Sequence, residues 1–415
     1  MMRPCFNAID IGYLLEELRS FSTTTGEKGV TRLAFSEADE AAHHFLAKKM
    51  ASLGLNVSRD AAGNLFARLP GRDSALPAVG TGSHIDTVPS GGLYDGTLGV
   101  VGGLYALLQY QPGELRRDLE LVVFRGEESS RFGFSCIGSK LLTGRSDVKK
   151  WQEITDDSGL NVFQAMAQRG YQTSRLASCA LSEQRYSAFV ELHIEQGRVL
   201  EHEGQAIGIV HGIAAPTRFR VTVTGCADHS GATPMYQRHD ALVASAMIIN
   251  DIHHAACKEI IYGTVGTVGK LDVTPNAMNV IPGLVKFYVD IRGIDPASIQ
   301  RVIERLKDSV GKTAKENDVE IALELVAAES PVPLDESICA VIENIANEQG
   351  VSYRRMLSGA GHDAMYMATQ YPTAMIFAPS KNGISHHPDE YTSPDEIITA
   401  VKVLQQTLAH LADAA

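Results

Sequence analysis

The segment SHIDTVPSGGLYDG places His84 and Asp86 directly after the apolar run 78–82, and Asp95 in a loop that also holds Gly91, Gly92 and Gly96. An imidazole nitrogen suits a borderline metal such as zinc, and a carboxylate has two oxygens that can bridge two cations. Flexible glycines let such a loop bend until Asp95 returns beside His84. The next apolar run, 119–124, leads into RGEESSRFG and the adjacent acids Glu127 and Glu128. Neighbouring carboxylates at a buried edge repel each other unless a cation neutralises one, which leaves the other free to take a proton from water. A third run ends in ELHIEQG with His193 and Glu195, and a fourth is followed by NGISHHPDE with His386 and His387. A single strand-end histidine is more often structural than a ligand. Four apolar runs that each end in histidine or acid make a metal-centre constellation.

Such side chains need a rigid frame, and the pattern of elements supplies one. Apolar Ala38, Ala41, Ala42, Phe45, Leu46, Met50 and Leu53 recur at helical spacing, with Ser36 and Asp39 as an N-terminal cap and Gly54 as the stop. Beyond this helix, strands over 78–83 and 119–124 flank a helix over 98–110, and further strands are expected over 189–193 and 373–377. Alternation of this kind predicts an α/β fold with helices packed on a mixed sheet, where strand ends are the usual ligand sites. The middle of the chain reads as strand 218–224, helix 240–254, strand 263–271, strand 284–291, helix 296–313 and strand 320–326. That βαββαβ order predicts a ferredoxin-like α+β domain over 213–328, inserted between the two parts of a catalytic domain, 1–212 and 329–415.

Length and composition are consistent with this plan. A chain of 415 residues exceeds the size at which one core keeps growing, so two domains are expected. With 37 Lys and Arg against 49 Asp and Glu, the formal charge of -12 excludes the electrostatic footprint of a nucleic-acid or anionic-membrane partner. Cys5, Cys136, Cys179, Cys226, Cys257 and Cys339 are dispersed without a CxxC pair and read as reduced thiols. The N-terminal stretch turns acidic before an apolar segment develops, and no run approaches the ~18 apolar residues of a membrane span, so a cytoplasmic location is expected.

The motifs together resemble the carbamoylase and allantoate amidohydrolase branch of the M20 peptidase-like metallohydrolases, a branch that includes β-ureidopropionase. DAAGNLFARLPG, GSHIDTVPSGGLYDG, GEESSRFG with the following IGS, LHIEQG, DHSGATPM, NVIPG, DIR, GAGHDA and NGISHHPDEY occur in that family's order over nearly the whole chain. The resemblance implies two divalent metal ions per subunit, zinc first, with manganese, cobalt or nickel as alternatives. It assigns His84, Asp95 and His193 to one ion and Asp95, Glu128 and His386 to the other, with Asp95 as the bridge. It makes Glu127 the catalytic base and Asp86 the carboxylate that orients His84. It further implies that the inserted domain is a lid and dimerisation domain, and that the protein is a homodimer.

By the same resemblance, His229, Asn279 and Arg292 form a substrate shell, with Gln196, Arg218 and the backbone around Gly361 as further contacts. Arg292 suits a bidentate carboxylate clamp, and His229 would reach the partner subunit's active site to steady the oxygen that gains charge. His193 stands where related aminopeptidases and deacylases usually carry a carboxylate, which favours carbamoyl amides over peptides. Ser129 replaces a glycine common among relatives, and His387 replaces an asparagine. The implied reaction cleaves the ureido carbon–nitrogen bond of a small carboxylate substrate, foremost an N-carbamoyl-L-amino acid, to ammonia, carbon dioxide and the free amino acid. Allantoate amidohydrolase is the alternative, followed by an M20 peptidase or N-acyl amino acid deacylase. A binding protein that has lost turnover is opposed by the intact Glu127.

Overall fold

The strand Leu119–Phe124 sends Leu119, Leu121 and Val123 into one core and Val122 and Phe124 into another. This is the two-residue period of a strand buried on both faces. The computed structural model describes residues 8–24 and 28–414, and Cys5 lies outside them. The strand belongs to a mixed sheet whose order is Asn56–Arg59, Leu65–Leu69, Leu119–Phe124, Ala78–His84, Tyr186–Ile194, Thr373–Ala378 and Ile207–Ile213. The strands Leu119–Phe124, Ala78–His84, Tyr186–Ile194 and Thr373–Ala378 run parallel to one another, and antiparallel neighbours flank them on both sides.

Helices cover both faces of this sheet. Ala8–Arg19, Glu37–Ser52, Thr97–Leu107, Glu336–Glu348 and Pro394–Asp413 contribute Leu14, Leu46, Leu98, Ile342 and Leu404 to one core. Ile137–Leu142 and Val162–Gln168 contribute Ile137, Leu141, Val162 and Met166 to the other, which is rich in aromatic side chains. Ser36 caps the helix Glu37–Ser52 by accepting the Asp39 N–H, as its sequence position suggests. Thr97–Leu107 is buried at every residue. Its all-round apolar sequence follows from that position, because a helix enclosed on all sides has no polar face. It starts directly after Asp95 and Gly96 and so anchors their loop to the core.

The chain divides into two compact units. The first runs to His211 and resumes over Leu334–Met356 and from His362 onward; the second comprises Gly212–Pro333 and Leu357–Gly361. The second unit holds the strands Ala215–Thr224, Val265–Thr274, Leu284–Gly293 and Glu320–Ala328. All of them pair antiparallel, with the fourth beside the first and the first beside the third. The helices Ala241–Lys258 and Pro296–Asn317 bury Ile248, Ile252, Val302 and Leu306 in one core with Val221, Val223, Phe287 and Val289. This is the ferredoxin-like arrangement expected from the order of elements. Among the described residues no helix is long and apolar enough to cross a membrane, and the five described cysteines are free.

Candidate metal centre

Parallel strands in register end at a common level, so the residues that follow them gather at one edge of the sheet. His84 pairs with Phe124, and His193 with Phe377. The carboxylate of Asp95 stands at this edge with its two oxygens facing different partners. Oδ1 lies 3.5 Å from His84 Nε2 and 3.3 Å from His193 Nε2. Oδ2 lies 3.2 Å from His386 Nε2, which is in turn 3.3 Å from Glu128 Oε1. Ligand atoms at ~2.0–2.2 Å from a tetrahedral zinc are ~3.3–3.6 Å apart. The residues therefore fit two cations that share Asp95.

The ring tautomers fit as well. His84 Nδ1 meets the carbonyl of Asp86 at 3.0 Å, and His193 Nδ1 meets that of Ile194 at 3.0 Å. With the ring proton placed there, His84 Nε2 keeps its lone pair for a metal, while that of His193 faces the Gly96 N–H at 3.1 Å. A third potential group, Glu191, His193 and His362, lies beside these. The oxygens of Glu191 already accept the Ser83 hydroxyl and the Ala364 N–H, both at 2.8 Å.

The carboxylate of Asp86 touches more than the His84 it is expected to orient. It lies 3.7 Å from His84 Nδ1, beyond a good hydrogen bond, while its oxygens accept the backbone N–H groups of Glu127 and Glu128 at 3.1 and 3.0 Å. One buried carboxylate thus fixes the backbone of both acids, and His84 is oriented by the Asp86 carbonyl. Gln196 Nε2 donates to Asp95 Oδ2 at 2.7 Å. Gly96 has φ +62°, and a β-carbon there would stand 2.3 Å from His84 Nε2. Only glycine completes this turn without striking the ligand.

Charge explains why cations belong here. Burial alone would raise Asp95, yet its contacts with His193, His386 and His84 hold it well below the usual carboxylate range. Burial pushes Glu127 well above its ordinary value; His84 opposes this, while Glu128 and Asp363 reinforce it. The contacts with Asp95 and Glu128 lift His386 to about 10. Asp86, Asp95, Glu127 and Glu128 are all buried, and this concentration of carboxylates calls for positive charge. Glu127 Oε2 is 3.8 Å from His84 Nε2, and the residue belongs to neither Asp95 group. It thus stands beside the two groups without joining them.

Residues 80–410 match the model of peptidase family M20/M25/M40. The chain belongs to that family. It is 38% identical over 405 residues to a ureidoglycolate hydrolase of Arabidopsis thaliana, covering 96% of this chain and 85% of the relative. It is 36% identical over 399 residues to an N-carbamoyl-L-amino-acid amidohydrolase of Paenarthrobacter aurescens, covering 95% and 97%. A crystal structure of an amidase of the hydantoinase/carbamoylase family from Burkholderia multivorans aligns with a TM-score of 0.92 at 32% identity, covering 98% of both chains. The M20 chain is a hydrolase acting on ureido or amide carbon–nitrogen bonds other than peptide bonds. Enzymes of the M20 family are generally metal-dependent.

The remaining expected site residues of this M20 chain lie in its second unit. Arg292 donates to Asp290 through Nε and Nη2, both at 3.1 Å, and through Nη1 to the Gly359 carbonyl at 2.8 Å. Arg218 shares the same Asp290 at 3.2 Å. His229 pairs with Val280 across the short strands Asp228–His229 and Val280–Ile281, and just before the second of these the Asn279 carbonyl accepts the Ser230 N–H at 3.0 Å. His229 Nδ1 accepts the N–H groups of Gly231 and Ala232 at 3.0 and 3.1 Å, which leaves Nε2 as the ring nitrogen available to donate. Gly361 belongs to the segment Leu357–Gly361 and has open space around it.

Glu390 and Ser385 went unassigned by the sequence reading. Glu390 Oε1 accepts the N–H groups of Tyr94 and Asp95 at 2.8 and 3.0 Å. The Ser385 hydroxyl lies 3.0 Å from Asp95 Oδ2 and 3.1 Å from Glu390 Oε2. The segment that supplies His386 thereby also holds Asp95 in place. Glu195, by contrast, accepts the N–H groups of Val199 and Leu200 at 2.7 and 2.9 Å, which is a structural cap.

Proposed function

We propose that this chain hydrolyses an N-carbamoyl-L-amino acid to the free amino acid, ammonia and carbon dioxide. The observation that carries the reading is Asp95, with one oxygen facing His84 and His193, the other facing His386, and Glu127 beside them. Two divalent cations, zinc or alternatively manganese, cobalt or nickel, would be held by His84, Asp95 and His193 and by Asp95, Glu128 and His386, supplying Lewis acidity and a water of lowered pKa. Glu127 accepts the water proton as the oxygen attacks the ureido carbonyl, and returns it to the departing nitrogen. The resulting carbamate loses carbon dioxide and frees the amine.

Arg292 pairs with the substrate carboxylate in exchange for Asp290, and Asn279, Gln196, Arg218 and the backbone at Gly361 complete the contacts. His229 donates through Nε2 to the oxygen that becomes negative. In this reading the enzyme is a cytoplasmic homodimer whose second unit serves as lid and dimerisation domain. His193, at a position where related peptidases usually carry a carboxylate, supports a carbamoyl over a peptide substrate. The similarity to the Arabidopsis ureidoglycolate hydrolase favours ureidoglycolate as the second substrate to consider, and allantoate follows from the same ureido chemistry.

The test is ammonia release by the metal-loaded protein from N-carbamoyl-L-amino acids, N-carbamoyl-β-alanine, ureidoglycolate and allantoate, with a dipeptide followed by amine release. The highest kcat/KM is expected for an N-carbamoyl-L-amino acid. A preference for ureidoglycolate or allantoate would move the assignment to that substrate, and efficient dipeptide cleavage would overturn it altogether.

A further inference from the structure

A thiol lies against the carboxylate of Glu127. Cys136 Sγ donates to Glu127 Oε1 at 3.2 Å, and the Cys136 N–H donates to the Glu127 carbonyl at 2.9 Å. One oxygen of Glu127 is thus held by Cys136, while Oε2 is the one that approaches His84. Cys136 is buried, with 1% of its surface exposed, but it belongs to none of the three hydrophobic clusters. The other buried cysteines do, Cys179 on the aromatic side of the sheet and Cys339 on the opposite side. The backbone of Cys136 is left-handed, φ 57°, a conformation that glycine adopts freely and a side chain resists. A side chain is kept here against that resistance, and it points to the carboxylate.

The chemistry of the donor suits the position. A thiol offers one donor and no charge, so it can direct one carboxylate oxygen without neutralising the group. We propose that Cys136 is a positioning residue for Glu127, holding one oxygen so that the other stays turned toward the metal ligands. The inference rests on Glu127 being the base. Without the thiol, the carboxylate samples other rotamers and spends less time in the reactive one.

The experiment compares the parent with Cys136→Ala, Cys136→Ser and Glu127→Gln, all metal-loaded. Cys136→Ala is expected to lower kcat about tenfold, the loss of roughly one hydrogen bond, with KM and metal content unchanged. Cys136→Ser restores a donor and should bring kcat back to within about threefold of the parent. A second readout needs neither metal nor turnover. In metal-free protein, infrared difference against Cys136→Ser isolates the S–H stretch of this thiol, expected at the low frequency of a bonded thiol and rising in Glu127→Ala. A parental kcat in Cys136→Ala, equal impairment of the Ala and Ser variants, or an S–H stretch indifferent to Glu127→Ala overturns the positioning role. Turnover surviving in Glu127→Gln would instead overturn the choice of base. An inactive Glu127→Gln beside a fully active Cys136→Ala would reject the positioning role alone.

Discussion

Glu127 and Glu128 are consecutive residues with different surroundings. Glu128 Oε1 meets His386, while Glu127 adjoins the centre without joining either Asp95 group. Glu127→Gln should therefore retain both metals and lose turnover by a factor on the order of a hundred to ten thousand, as metal analysis beside kinetics would show. Asp95→Ala should have the other phenotype. It removes the anion common to both groups, so metal content should fall together with activity, and full occupancy of both sites in that variant would contradict the bridge. That His84, Asp95, Glu128, His193 and His386 gather at one sheet edge was legible because apolar runs precede them and the ends of parallel strands converge, while the choice among the neighbouring acids and histidines came from the family resemblance. Glu390 was not legible. Its partners at Tyr94 and Asp95 are some 295 positions away, and a carboxylate that accepts distant backbone N–H groups leaves no local pattern.

At the level of the element, the turn at Gly96 has two demands that can be separated experimentally. Gly96 has φ +62° and a β-carbon there would meet His84, whereas Gly113 has φ +76° and would meet nothing within 4 Å. Alanine at either position incurs the left-handed penalty of about 1–2 kcal/mol. Only Gly96→Ala should also lose metal, and thermal melting with metal analysis of the two variants would separate strain from collision. The long periodic elements were legible: the strand expected over 119–124 is Leu119–Phe124, and the helix expected over 98–110 is Thr97–Leu107. The short helices Ile137–Leu142, Val148–Glu153 and Val162–Gln168 were not, because one or two turns display too little of a 3.6-residue period to be recognised.

Across the whole molecule, the ferredoxin-like order of strands and helices was visible because each of its elements is long and amphipathic. The return of Leu357–Gly361 to the second unit was not, since five residues carry no period of their own. The proposed role of His229 is a claim at this scale, linking the second unit to a dimer. Mixing inactive Glu127→Gln with inactive His229→Ala and allowing subunits to exchange should restore activity if His229 serves the partner subunit. A mixed dimer then contains one site with both defects and one with neither. Verified heterodimers that remain inactive would rule this out.

The clasp formed by Ser385, His386 and Glu390 on Asp95 also bears on when the protein can acquire its cofactors during synthesis. His84, Asp95 and His193 are made well before Ser385, His386 and Glu390, the residues that tie down the loop carrying Asp95. A nascent chain therefore lacks His386, and the anchor for Asp95, until the ribosome has passed Glu390. Under the proposed two-ion reading, loading of the pair is complete only after that point. Ribosome-bound chains ending before Thr373 should accordingly hold less than the full pair, which metal analysis of stalled complexes can measure.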